Sequence, residues 1–135
     1  MKKYGLTKHR FLELKYFCLQ YDEWKKELEQ LRDTIKSADT TGQPVSNYPE
    51  HPTEILAIKR AELSYKCDLI EETAREAGGD IWKYVLLGVT KEENTYTRLT
   101  KMCGMPCCRN VYYEKRRKFY YVLSNKIKVL SDHFC

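Results

Sequence analysis

The sequence predicts an all-α fold: a long N-terminal helical hairpin, then a C-terminal three-helix bundle of helix-turn-helix type that ends in a long basic helix. Three observations predict it. Apolar residues recur at spacings of three and four through most of the chain, and no stretch alternates with the period of a strand. The 135 residues are 32% charged with only six Gly and four Pro, a helix-rich balance. Near the C-terminal end, Gly104 and Pro106 interrupt the helical pattern and leave a short turn between two helices.

Residues 7–37 read as one helix. Leu14, Phe17, Tyr21, Trp24, Leu28, Leu31 and Ile35 fall at alternating spacings of three and four, an a/d seam held over three heptads. A seam this regular packs along another helix, in the same chain or in a second copy. It is therefore either a core stripe or a coiled-coil seam that makes a homodimer through Phe17, Tyr21, Trp24, Leu28 and Leu31. Residues 38–53 carry Pro44, Pro49, Pro52 and Gly42, which argue for a flexible loop, with Val45 and Tyr48 as tethers. Thr53 is a good N-cap for a second helix over 54–77, with Glu54 in its first turn. Ile55, Leu56, Ile58, Leu63, Tyr65, Leu69 and Ile70 form its broad apolar face, and Gly78-Gly79 ends it. The two long helices match in length, so residues 1–79 are expected to form an antiparallel hairpin.

Residues 80–135 form the second expected unit. Asp80 caps a short helix over 81–89 whose apolar members are Trp82, Val85, Leu86 and Val89. Asn94 or Thr95 caps the next helix, which runs to about Cys103 and turns Tyr96, Leu99 and Met102 inward. Gly104 can take the positive φ that ends a helix, and Pro106 pushes Met105 out of the α region. The last helix then begins at Cys107 or Cys108 and continues to about Ser131.

The charge is uneven. Residues 1–100 hold 16 Lys and Arg against 17 Asp and Glu, whereas residues 101–135 hold 8 against 2. The net charge of +5 therefore lies wholly in the last quarter of the chain, the footprint of a polyanion partner. A wheel through the last helix, set on Phe119 at 100° per residue, puts Cys108, Tyr112, Leu123 and Leu130 on the core side. Asn110, Tyr113, Glu114, Arg117 and Tyr121 lie opposite, with Arg109 and Arg116 at one edge and Lys115 and Lys118 at the other. That division suits a helix in the major groove of double-stranded DNA. Asn110, Tyr113, Glu114 and Arg117 would meet base edges, and Arg109, Lys115, Arg116 and Lys118 would meet phosphates.

Other classes find less support. No stretch approaches the ~20 apolar residues of a membrane span, and no signal peptide is visible behind Lys2 and Lys3. Without an export signal the six Cys are expected to be reduced thiols. Cys103, Cys107 and Cys108 lack the spacing of a zinc site and His133 is isolated, so no metal is expected. Instead Cys103 and Cys108 should pack as small hydrophobes, and Cys107, at a helix start, should have a lowered pKa. His9, His51 and His133 are scattered, and Glu71-Glu72 and Glu92-Glu93 read as solvated faces. Neither an enzyme nor a cofactor protein is expected.

Tyr84 with Gly88-Val89-Thr90, Tyr96 with Leu99, Gly104-Met105-Pro106-Cys107, and the run from Tyr112 through Arg116-Arg117-Lys118-Phe119-Tyr120 to Leu123-Ser124 form a recognisable set. In these residues the chain resembles the helix-turn-helix of small Firmicutes phage regulators, the sigma-factor-like ArpU/RinA type. Gly42, Pro44 and Ser46, then Pro52-Thr53 and Arg60-Ala61-Glu62-Leu63, resemble prophage proteins of that group. The resemblance implies a prophage-encoded transcription regulator in the cytoplasm of a bacterial host, bound to DNA and in contact with RNA polymerase or another protein. A different class stays open: a small phage protein-interaction module, such as an inhibitor of a host nuclease or defence complex. A purely structural helical bundle is the third reading.

Overall fold

The computed structural model describes residues 5–40 and 52–134, with side-chain environments over 5–32 and 54–127. Among them the chain is all-α, with no strand. The helices are α1 (Lys8–Leu19), α2 (Tyr21–Thr40), α3 (Pro52–Gly78), α4 (Trp82–Thr90), α5 (Tyr96–Met102) and α6 (Arg109–Phe134). A 3-10 turn, Gly79–Ile81, joins α3 to α4. Most of the expected loop, with its tethers Val45 and Tyr48, lies outside the described residues.

The first expected helix is two. Thr7 caps α1, its hydroxyl accepting from Arg10 N–H at 3.1 Å. The chain then bends at Gln20, whose N–H donates to the Phe17 carbonyl at 3.3 Å and whose side-chain Nε2 donates to the Tyr16 carbonyl at 3.1 Å. Asp22 and Glu23 follow in the first turn of α2, where carboxylates suit the positive end of the helix dipole. The bend has a packing cause. The apolar side of α1 meets α4 and α6, while that of α2 meets α3. A straight helix could not serve both. The Phe17 and Trp24 rings close the inner side of the bend at 5.0 Å, edge to face.

α2 and α3 run antiparallel. Tyr21 donates to Glu71 Oε1 at 2.8 Å, and further along α2 the Trp24 ring lies 5.1 Å under Lys66 Nζ. Trp24 is buried and Phe17, Tyr21, Leu28 and Leu31 are half-buried against the core, so the proposed dimer seam packs within the chain. The broad face of α3 divides. Leu63, Leu69 and Ile70 are buried, but Ile55, Ile58 and Tyr65 are about half exposed. Among the described residues one core crosses position 79, because α3 packs on α4 and α6 as well as on α2.

α6 packs against α3, α1 and α4. Tyr112, Phe119 and Leu123 are buried, on the side the helical period assigns to them. Tyr120 is buried too, its ring edge-on to Phe11 of α1 at 5.0 Å. Arg10 also ties α1 to α6, its Nε donating to Ser124 Oγ at 3.0 Å and its terminal nitrogen to the Ser124 carbonyl at 3.1 Å. α4 comes close to α6 at Gly88, where a Cβ would overlap the Tyr112 hydroxyl. No described helix is long and apolar enough to cross a membrane.

Candidate nucleic-acid interface

α5 and the start of α6 build the basic surface. Thr95 caps α5 as expected, accepting from Arg98 N–H at 3.3 Å. Asp80 does not cap α4. It lies in the 3-10 turn, and α4 has no side-chain cap. The connection from α5 to α6 spans residues 103–108, six rather than three, because α6 begins at Arg109 and not at Cys107 or Cys108. Gly104 adopts a φ of +73°, which lets Met105 N–H return to the Leu99 carbonyl at 3.1 Å. Cys103 N–H shares that carbonyl at 3.2 Å. Met105 is thereby buried, and Met102, expected inside, is 75% exposed. The Tyr96 hydroxyl donates to the Cys107 carbonyl at 3.0 Å and holds the far end of the turn.

The nominated residues fall into three groups. Arg109, Asn110 and Lys118 are exposed. Glu114, Lys115 and Arg117 are half-buried along the edge of α6 that faces the end of α3, with Asn110 in the same shallow groove. Arg117 donates to Glu114 Oε2 at 3.0 Å, so its charge is already partly answered. Tyr113 and Arg116 form the third group, turned away from the expected outer face. The Tyr113 ring packs against Tyr112 at 5.1 Å and Tyr96 at 6.4 Å. The Arg116 guanidinium lies 5.7 Å from the Tyr120 ring and 6.0 Å from the Tyr113 ring, and its Nε is buried. Arg109 stacks over Tyr96 at 5.5 Å, which joins α5 to the first turn of α6.

Two further basic residues lie outside the helix that the sequence pattern singles out. Arg98 and Lys101 are exposed on α5, the helix that Tyr96 ties to the start of α6. From residue 95 to 127 the chain holds eight Lys and Arg, and Glu114 is its only acidic side chain. This count was legible in the sequence.

The cysteines differ from expectation. Cys103 and Cys108 are exposed, and the small buried thiols are Cys18 and Cys67. Cys107 does not open the helix, and its thiol is pushed up by burial and by Cys108, with Lys115 opposing. All five described cysteines are free, and no group of three His, Cys, Asp or Glu among the described residues is arranged to hold a metal.

The fold and this surface define an all-α chain with a basic face on its last two helices. Compared with family models, curated proteins and solved structures, the chain matches none.

Proposed function

We propose that the chain is a sequence-specific binder of double-stranded DNA, acting as a phage transcription regulator. One observation carries the reading: the fully exposed charged residues between 95 and 127 are all basic. Arg98, Lys101, Arg109 and Lys118 are exposed, and the lone acid between residues 95 and 127 is paired within its own helix. Such a surface neutralises phosphates and releases counterions, whatever the base sequence. Asn110 and Arg117 supply base discrimination, since amide and guanidinium groups pair two-pronged with adenine and guanine. Arg117 must first leave Glu114. The phosphate contacts are assigned to Arg98, Lys101, Arg109, Lys115 and Lys118.

Filter binding to duplex DNA over a range of salt tests this. The expected result is measurable affinity for random duplex at ~50 mM salt and a logarithmic salt slope of several units. Arg109→Ala and Lys118→Ala should each reduce that slope by about one. Asn110→Ala and Arg117→Ala should relax sequence preference, as read by selection from random oligonucleotides. A fold intact by circular dichroism with no duplex binding at low salt overturns the proposal. A protein partner with an acidic surface is then the better reading. Met102 at 75% and Val111 at 41% exposure favour it, because apolar side chains among basic ones suit a protein interface.

A further inference from the structure

One acid interrupts the basic edge of α6. Glu114 stands in the shallow groove with Asn110, Lys115, Arg117 and Lys118. It is the only carboxylate between residues 95 and 127, against eight Lys and Arg. Phosphate binding gains nothing from an acid here, because it cancels part of the field that draws a polyanion in. Its pairing shows what it does. A terminal nitrogen of Arg117 donates to Glu114 Oε2 at 3.0 Å, one turn earlier on the same helix. Both side chains are 38% exposed, so the pair can open without disturbing the core.

Magnitudes decide what opens it. A partly exposed ion pair on one helix is worth up to about fivefold in an equilibrium constant. A phosphate offers the Arg117 guanidinium the same kind of charged oxygen as Glu114 does, and so little reason to leave. A guanine edge offers two acceptors that match the planar fork. That match discriminates against other bases by roughly fivefold to over a hundredfold. Guanine can therefore draw Arg117 off Glu114, whereas a phosphate has little margin to do so.

We propose that Glu114 is a positioning residue for sequence discrimination: it holds Arg117 back from phosphates and yields it to a guanine edge. The inference rests on the duplex-DNA reading above and deepens it. Glu114 then acts through Arg117 and touches no base, unlike the role the helical wheel gives it. Its carboxylate weakens binding to every duplex, and weakens it least where a guanine lies in register with Arg117. Selectivity rises as overall affinity falls.

Filter binding of the full chain tests this with two probes, random duplex and the duplex that wild type selects from random oligonucleotides. Glu114→Gln keeps the shape and removes the charge, and circular dichroism checks its fold. It should tighten random-duplex binding about threefold or more at ~100 mM salt and steepen the salt slope by about one, as Arg117 gains a phosphate. The selected duplex should gain less, so discrimination narrows. In an Arg117→Ala chain the same change should leave the slope as it is, and the double-mutant cycle measures the coupling. Equal tightening with and without Arg117 overturns the proposal, because Glu114 then acts by repulsion alone. So does a Glu114→Gln chain that loses affinity only for the selected duplex, because Glu114 then reads a base itself. Wild type that binds duplex as tightly as Glu114→Gln removes this inference and spares the DNA reading. Wild type that binds no duplex at ~50 mM salt removes both.

Discussion

Gly88→Ala tests the closest approach between helices in this fold. Two effects oppose each other. In a helix interior Ala is favoured over Gly by about 1 kcal/mol, so an exposed site would gain that much. At Gly88 the added Cβ would overlap the Tyr112 hydroxyl oxygen, stand 3.2 Å from Tyr112 Cζ and 3.5 Å from Leu99 Cδ1. Tyr112 is 2% exposed and wedged between Tyr96 and Tyr113, so its ring cannot withdraw without moving them. Overpacking a core of this kind costs up to about 3 kcal/mol. The clash therefore outweighs the propensity gain, and the net loss is about 2 kcal/mol. For a chain of 135 residues this lowers Tm by about 8 °C. Urea unfolding followed by circular dichroism gives the free energy directly. Adding Tyr112→Phe removes the colliding oxygen and should restore at least about 1 kcal/mol, a coupling a double-mutant cycle detects. If Gly88→Ala alone raises stability, α4 and α6 do not meet here.

Other outcomes follow from the same packing. Met105→Ala should cost about 2–5 kcal/mol in urea unfolding because its side chain is buried, whereas Met102→Ala should stay within about 0.5 kcal/mol. Trp24→Ala should destabilise the chain rather than dissociate copies of it, since Trp24 is buried within one chain. Self-association, if it pairs half-sites on DNA, should use the exposed Ile55, Ile58 and Tyr65. Sedimentation at tens of micromolar should then show a dimer that Ile58→Glu disrupts, and a wild-type monomer would refute it. Stability should fall as pH rises above about 9, the ordinary value for Cys. Burial raises the pKa of Cys18, Tyr21 and Tyr120 in the folded chain, so the unfolded chain loses these protons first and gains from alkali. Melting curves from pH 7 to 11 check the sign.

The sequence alone determined what depends on local chemistry. The helical period, the scarcity of Gly and Pro, and the absence of strand alternation defined the all-α class. Thr95 as a cap, Gly104 as the turn glycine, and Tyr112, Phe119 and Leu123 as core all follow from bonds or periods within a few residues. The uneven charge was visible in the same way. Tertiary structure decided what depends on which helix lies against which. The a/d seam runs unbroken through Gln20, yet the helix bends there because its two halves face different neighbours. A wheel gives α6 one buried side, but the helix packs against α3, α1 and α4, which buries Tyr120 and the Arg116 Nε as well. Met102 and Met105 are both apolar and three residues apart. The positive φ of Gly104 reverses the chain between them and decides which one fills the core.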